Sequence, residues 1–374
     1  MSRVEILQSA DQAAPVVGEY ARQVDQDGTF PTLSIGALRE AGLLGVGQPT
    51  DVGGLGGSLG DCALTVHRVA QQCASTAMVL TMHLSGALVI QAHGSEAQKR
   101  AVATGRALST LAFSETGTRS HFWAPLSSAT RDADAIRLDA QKSWCTSADH
   151  ADLYVWSSRP VSADGLSTLW VVPRQTEGLR TKGSFTGLGL RGNNSLPIVA
   201  EAARIPEGNR LGADGAGFDI MMGTVLPAFN LMIAAGSIGI ARACLGATIA
   251  HVSGPKHYAH THTALRDLPT IRNYVARMQC ATDSAHALLI DAIDAIENGR
   301  PDAMLRVLQI KAFGAETALD VTALGMRVCG GAAFRKDVGV ERNFRDAQAA
   351  SAMGPTTDVL YDFIGKAVTG MDLF

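Results

Sequence analysis

The sequence predicts an α+β protein in which a helical domain, a β domain and a second helical domain follow one another. Residues 1–108 repeat apolar side chains at helical spacing, which predicts an N-terminal all-α domain. Residues 109–217 hold short apolar and aromatic runs separated by Gly, Ser, Asp and Pro, which predicts a middle β-barrel or sandwich. The helical period returns in residues 218–374, where long segments joined by short loops predict a C-terminal four-helix bundle.

Each domain contains its own sequence signals. In the first, Leu7, Ala10, Ala14 and Val17 mark one face of a helix, and a glycine-rich loop over residues 49–61 precedes two further helices. The predicted strands of the second domain lie in STLAFSE, AIRLDAQ, DLYVWSS, LSTLWVV and LPIVAEAARI. The predicted helices of the third span residues 218–252, 266–298, 302–328 and 338–350, with a last one from about residue 356.

Composition restricts the class of protein. Of 374 residues, 46% are hydrophobic and 18% are charged, which is enough apolar material for a large folded core. The net charge of −3 lacks the basic excess typical of nucleic-acid-binding proteins, so we expect no nucleic acid partner. The 6 cysteines form no C-x-x-C pair, and the first residues include acids where a signal peptide needs an apolar stretch. We therefore expect reduced thiols and a cytoplasmic location.

One long uncharged segment resembles a membrane span by hydropathy. Residues 220–241 contain no charged residue, but Pro227, Asn230 and several glycines interrupt them and amphipathic helices follow. We expect a helix buried in the bundle, with a membrane span as the less favoured alternative.

Six motifs follow one another along the chain. They are PTDVGGLGG (49–57), AFSETGTRS (112–120), KSWCTSADHAD (142–152), GLRGNN (189–194), ARIPEGNRLGADGAGFD (203–219) and VCGGAAFRKDVGVERNFRDA (328–347). In this order they resemble motifs of the acyl-CoA dehydrogenase family, and the resemblance covers nearly the whole chain. It implies FAD held between the β domain and the bundle, and assembly as a homodimer or homotetramer.

The resemblance also implies flavin contacts. Trp144 and Thr146 match positions where the family stacks an aromatic ring near the isoalloxazine and hydrogen-bonds flavin N5. Ser114 and Ser120 match positions that meet the flavin pyrimidine and a phosphate, and Thr356 stands at the threonine of the family's YEGT segment. The alternatives are structural: a core Trp and a surface Thr on a strand, and ordinary turn serines.

Three further cofactor contacts are predicted at and just after the end of the third bundle helix. Gly330 and Gly331 let the backbone approach a pyrophosphate, although a plain helix C-cap is the alternative. Pro255 stands where the family has an arginine that meets FAD phosphates. Arg327, at the family's glutamine position, is a candidate replacement cation, and a surface arginine near a helix end is the equal alternative.

The sequence departs from the family at the catalytic base. The family removes a proton with a carboxylate, but Gly354 stands at the usual glutamate position and Phe229 at the minority one. Both usual base positions are therefore empty. Gly354 keeps the backbone N–H that polarises the thioester carbonyl in the family. Asn230 replaces an arginine on the CoA side, and we expect Phe229, Asn230 and Gly354 to line the substrate pocket.

Two features offer weaker candidates. Asp358 follows Gly354 by about one helical turn and is a conceivable replacement base, but an acid favoured by the helix dipole is the preferred interpretation. The histidines His251, His257, His260 and His262 lack the acid or thiolate that usually completes a metal site, so we favour a solvated loop and expect no metal.

Together these features favour an FAD-dependent oxidoreductase acting on a small acyl thioester, bound to CoA or a carrier, by non-standard chemistry. The favoured variant is a flavin oxygenase that uses O₂, because such a site needs a flavin and a shielded pocket but no base. One alternative is ordinary α,β-dehydrogenation with a relocated base, its electrons passing to an electron-transfer flavoprotein. Another is a non-catalytic subunit paired with an active homologue.

Overall fold

The computed structural model describes residues 1–254, 257–258, 260 and 262–373. An N-terminal helical domain, a middle sheet domain and a C-terminal helical domain follow one another, as the sequence predicts. Most predicted elements begin and end within a few residues of the observed ones. One α-helix (96–103) and five short strands (128–132, 179–181, 210–211, 257–258 and 263–264) are not predicted from the sequence, because they are too short for a clear periodic signal.

Five helices form the N-terminal domain. They are α1 (Arg3–Asp27), α2 (Thr32–Glu40), α3 (Leu59–Ala70), α4 (Ala74–His93) and α5 (Glu96–Ala103). The first begins at a capping box, in which the hydroxyl of Ser2 accepts from the backbone N–H of Glu5 and the Glu5 carboxylate accepts from that of Ser2. Ile6, Ala10 and Val17 form its buried stripe, so the first turn is fixed where the apolar face begins.

Eight strands form two sheets in the middle domain. They are β1 (Ser109–Ala112), β2 (Ser128–Asp132), β3 (Ala135–Cys145), β4 (Leu153–Ser158), β5 (Thr168–Pro173), β6 (Leu179–Thr181), β7 (Leu196–Pro206) and β8 (Arg210–Leu211). The sheet orders are β1-β4-β5-β8 and β2-β3-β7-β6, and all pairs are antiparallel except β1 with β4. Trp156 and Trp170 pair across β4 and β5 and share one core with Ile136 and Ile198 of the other sheet. The domain is therefore a sandwich.

The C-terminal domain is a bundle of long helices. Its elements are α6 (Gly217–Ile220), α7 (Leu226–Ser253), α8 (Pro269–Glu297), α9 (Ala303–Cys329), α10 (Val340–Ala352) and α11 (Thr357–Thr369). A π-helical turn over Met221–Val225 joins α6 to α7. Two short strands, His257–Tyr258 and Thr263–Ala264, pair after α7. Pro255 lies outside the described residues, and so does the side chain of His257.

Two helical segments of the described chain are long and apolar enough to cross a membrane by length and composition. They are Ala74–His93 and Gly217–Ser253, and 89% and 78% of their most apolar windows are buried inside the protein. A lipid-facing helix would turn such residues outward, whereas these pack in the two helical cores. The uncharged segment is thus a buried bundle helix, as expected.

Candidate active site

A cavity of about 1000 Å³ opens where the sandwich meets the bundle. Its walls come from the loop after β1, the end of β3, the loop before β7, the start of α7 and the junction of α10 with α11. Seven of the eleven predicted site residues line it: Ser114, Ser120, Trp144, Thr146, Phe229, Gly354 and Thr356. Motifs far apart in sequence therefore converge on one space.

Asn230 does not line the cavity, which corrects its placement in the substrate pocket. Neighbouring residues on an α-helix point about 100° apart, so Phe229 reaches the cavity while Asn230 turns into the bundle. The Asn230 side chain is completely buried, and neither of its amide atoms has a hydrogen-bond partner among the described residues.

Arg327, Gly330 and Gly331 also lie away from this cavity. The Arg327 guanidinium carbon lies 5.0 Å from the centroid of the Tyr274 ring, a cation–π contact. Gly330 caps α9, since its N–H donates to the carbonyl of Met326 and its φ of 55° suits glycine. A Cβ at either glycine would meet no atom within 4 Å, so both are open to close approach. Any role of these three residues toward FAD requires a surface outside this cavity.

The burial of Trp144 and Thr146 contradicts the structural alternatives, which were a core Trp and a surface Thr on a strand. Trp144 is 73% exposed and lies in the left-handed backbone region with φ 56°, so it is not a core residue. Thr146 is buried, and its hydroxyl oxygen lies 3.1 Å from that of Ser195. An exposed aromatic ring and a buried hydroxyl on the cavity wall suit a flat ring system as ligand.

The loop after β1 is joined to two other walls. The backbone carbonyl of Ser114 accepts from the N–H of Ser143, which ties this loop to β3. The N–H of Thr356 approaches the hydroxyl oxygen of Ser120 at 3.4 Å, across to the start of α11. Thr356 is the N-cap residue of α11, but its side chain makes no capping bond. Thr356 also lines the cavity.

Glu115 and Lys142, which were not predicted as site residues, form a buried ion pair, with Glu115 in the cavity wall and Lys142 behind it. Lys142 Nζ lies 2.6 Å from Glu115 Oε1 and also donates to the backbone carbonyl of Ser157. Glu115 further accepts from the N–H groups of Leu126 and Ser127 and from the Ser127 hydroxyl. Burial alone would raise the pKa of Glu115, but Lys142 and these donors hold it below its usual value.

Gly354 lies in the short link between α10 and α11. A Cβ at this position would meet Ser120 Cα at 3.5 Å and Ser120 O at 3.6 Å, which are ordinary contacts. Its φ is outside the left-handed region, so the backbone does not require glycine. Neither the backbone nor the space around a Cβ therefore requires glycine at this position.

Arg345 and Asp346 join the three domains beside the cavity. Arg345 donates two hydrogen bonds to the Asp25 carboxylate of α1, at 2.8 and 2.6 Å, and one to the carbonyl of Leu188. Asp346 accepts from the N–H of Leu190 at 2.6 Å, and burial raises the pKa of Asp346 to about 6. Both residues belong to a predicted motif, but only the structure identifies their partners.

The weaker candidates lie elsewhere. Asp358 is exposed in the first turn of α11 and does not line the cavity, which fits the helix-dipole interpretation. His251, His260 and His262 are also absent from the cavity wall. Within the described residues, no group of three or more His, Cys, Asp or Glu side chains is arranged to hold a metal ion.

Comparison with known proteins places this geometry in one family. Residues 6–107, 110–203 and 215–369 match the N-terminal, middle and C-terminal domains of acyl-CoA dehydrogenase. A Bacillus subtilis protein named "probable acyl-CoA dehydrogenase" is 29% identical, covering 93% of each chain.

Solved structures with the same fold agree. The butyryl-CoA dehydrogenase from Megasphaera elsdenii superimposes with a TM-score of 0.91 and 23% identity over 98% of both chains. The FAD complex of PigA superimposes with a TM-score of 0.88 and 18% identity, covering 99% of this chain and 98% of that chain. The chain belongs to the acyl-CoA dehydrogenase family and is, like its other members, a flavin-dependent oxidoreductase.

Proposed function

We propose that this oxidoreductase acts on a small acyl thioester, bound to CoA or to a carrier, by chemistry that uses no carboxylate base. The observation that carries the proposal is the set of charged groups in the cavity. Among the described lining residues, Glu115 is the one carboxylate, and Lys142, Ser127 and Leu126 already donate four hydrogen bonds to it. A carboxylate held in this way is a poor proton acceptor for a substrate.

We propose FAD as the cofactor, and the lining residues fit it. The carbonyl oxygen of the Asn193 side chain is buried at the cavity without a hydrogen-bond partner among the described residues, as expected for a group that meets a ligand donor. Ser114, Ser120, Trp144, Thr146 and Thr356 would hold the cofactor. When bound, FAD supplies the redox chemistry. The FAD complex of PigA, a protein of the same fold, supports this assignment.

Gly354 is proposed to bind the thioester carbonyl through its backbone N–H. That N–H forms no hydrogen bond with any residue that the structure describes, although Gly354 lines the cavity. A free donor at a cavity wall polarises a carbonyl group without moving a proton. Phe229 lines the same cavity and is proposed to contact the acyl chain.

The favoured reaction is oxygenation with O₂, in which an external two-electron donor would reduce the flavin, and one oxygen atom would enter the substrate while the other leaves as water. The absence of a free carboxylate among the described lining residues supports it. Ordinary dehydrogenation is the second candidate, because His121 lines the cavity and imidazole can act as a base. In that reaction the electrons would pass to an electron-transfer flavoprotein. The cytoplasmic location, the homodimer or homotetramer and the domain boundaries 1–108, 109–217 and 218–374 remain predictions from the sequence.

The deciding experiment mixes the purified flavoprotein with a panel of acyl-CoAs under nitrogen and follows the visible flavin absorption. We expect the colour to persist, because no free carboxylate lines the described cavity to start desaturation. A second arm reduces the flavin chemically, admits isotopically labelled O₂ and looks for the label in the acyl product. Bleaching under nitrogen that disappears in His121→Gln would favour dehydrogenation, and a colourless protein would favour the non-catalytic subunit.

A further inference from the structure

Lys311 is a buried lysine that none of the functions above uses. It lies on α9, and its side chain has no measurable exposure to solvent. Its ammonium nitrogen donates to three backbone carbonyls, those of Ala350 at 3.0 Å, Met353 at 2.9 Å and Pro355 at 2.6 Å. These carbonyls lie on both sides of Gly354, so one side chain ties down the whole link from α10 to α11.

The ammonium group of Lys311 suits the backbone carbonyls that it contacts, in both charge and number of donors. The last carbonyls of a helix have no partner within the helix, and α10 ends at Ala352. A cation near this end is also favoured by the helix dipole. An ammonium group has three N–H donors, and three carbonyls accept them here. No carboxylate among the described residues pairs with Lys311, so its hydrogen bonds go to the backbone alone.

A core-filling role explains the lysine poorly. Burying an ammonium group costs free energy unless it is hydrogen-bonded, and methionine would fill similar space without that cost. The cost is offset only if the three carbonyls need a donor. Without one, Ala350, Met353 and Pro355 would be left with buried or half-buried acceptors beside the cavity.

We propose, building on the proposed role of Gly354, that Lys311 is a positioning residue that holds residues 350–355 so that the Gly354 N–H stays at the cavity wall. Lys311 itself touches neither substrate nor cofactor, because it does not line the cavity. It acts through the carbonyl groups on either side of Gly354. The geometry of carbonyl binding is thus set from the interior of the bundle, 43 positions earlier in the sequence than Gly354.

The test compares Lys311→Met with Thr322→Val. Thr322 is buried on the same helix, and its hydroxyl donates to the Ala318 carbonyl within α9, so this control perturbs the helix without touching the link. Hydrogen–deuterium exchange of a peptide covering residues 348–360 reports on the link directly. Flavin absorbance under nitrogen gives the dissociation constant of butyryl-CoA.

We expect Lys311→Met to raise exchange in 348–360 and to weaken butyryl-CoA binding, each by about tenfold or more, because three hydrogen bonds to a charged donor are lost. Thr322→Val should leave both within about twofold. If Lys311→Met does not fold, Lys311→Gln, which keeps an N–H donor on a shorter side chain, should show the same changes at smaller size.

Wild-type exchange in 348–360 for the Lys311 variant would overturn the proposal. Raised exchange with an unchanged butyryl-CoA dissociation constant would overturn it equally, since the link would then be anchored without serving binding. If the wild type binds no acyl-CoA on the panel, the proposed function fails. In that case the exchange rate of residues 348–360 and the dissociation constant of FAD decide on Lys311, because Thr356, a proposed FAD contact, directly follows the link. Both quantities must change in Lys311→Met to support the proposed positioning role.

Discussion

The ammonium nitrogen of Lys142 lies 2.6 Å from a carboxylate oxygen of Glu115, and the two side chains are 0% and 5% exposed. Glu115 follows β1 of one sheet, and Lys142 belongs to β3 of the other. Lys142 also donates to both oxygens of Ser157 on β4. The pair therefore fixes the two cavity-lining motifs relative to each other.

Breaking this pair should be costly. Glu115→Gln leaves the Lys142 charge buried without compensation, and we expect the free energy of unfolding to fall by about 3–5 kcal/mol. Glu201→Gln is the matched control, because Glu201 pairs with Arg180 where both side chains are more than half exposed. That change should cost at most about 1 kcal/mol. Urea unfolding at neutral pH measures both, and similar small losses would show that the buried pair contributes little.

The raised pKa of Asp346 predicts that the difference in unfolding free energy between the wild type and Asp346→Asn depends on pH. Burial raises the pKa of Asp346 to about 6, so the folded state binds this proton more tightly than the unfolded chain does. The stability gained by protonation is fully present below the unfolded pKa of about 4 and is lost as pH rises through 6. Asp346→Asn stays neutral and keeps an oxygen for the Leu190 N–H.

The variant should therefore match the wild type near pH 4 and exceed its unfolding free energy by about 3 kcal/mol above pH 7. Urea unfolding of both proteins at several pH values gives this difference, in which the other titrating groups cancel. A difference that does not vary with pH would contradict the assignment.

The features of this protein that are encoded in local sequence patterns could be predicted from the sequence. Helical and strand periods predicted the element order, and motif positions predicted seven cavity residues. The direction of Asn230 depends on how α7 is rotated by its neighbours, which no local pattern specifies. Likewise, Lys142 and Glu115 are 27 residues apart and Arg345 and Asp25 are 320 apart. The first pair forms only after the two sheets pack and the second only after the domains pack, so spacing in the sequence could not identify them.

The cofactor prediction is direct. Because the residues proposed to hold FAD line one cavity, the protein should purify yellow with about one FAD per chain. Absorbance after denaturation and chromatography of the released flavin give its amount and identity. FMN in place of FAD, or no flavin after gentle purification, would be incompatible with the assignment.

Arg327 offers a test of the cofactor contacts predicted outside the cavity. If its guanidinium binds a phosphate, Arg327→Gln should weaken FAD binding by roughly 1.5–3 kcal/mol, about tenfold or more in the dissociation constant. Tyr274→Leu is the control, because it removes the ring beneath Arg327 and keeps the charge. An unchanged FAD dissociation constant in Arg327→Gln would leave Arg327 as a surface residue stacked on Tyr274.

Gly354→Glu tests the reaction itself. The backbone accepts a side chain here, since a Cβ would meet Ser120 at 3.5 Å or more and the backbone is not left-handed. The wild type should desaturate straight-chain acyl-CoAs poorly, and the variant should reduce its flavin faster with butyryl-CoA under nitrogen while losing the native reaction. A general base contributes roughly 10²–10⁴-fold, but we expect about tenfold because Pro355 restricts the residue before it. Gly354→Ala, which adds bulk without a base, should give no gain. Rapid flavin reduction of the wild type by butyryl- or octanoyl-CoA would refute the absence of a working base.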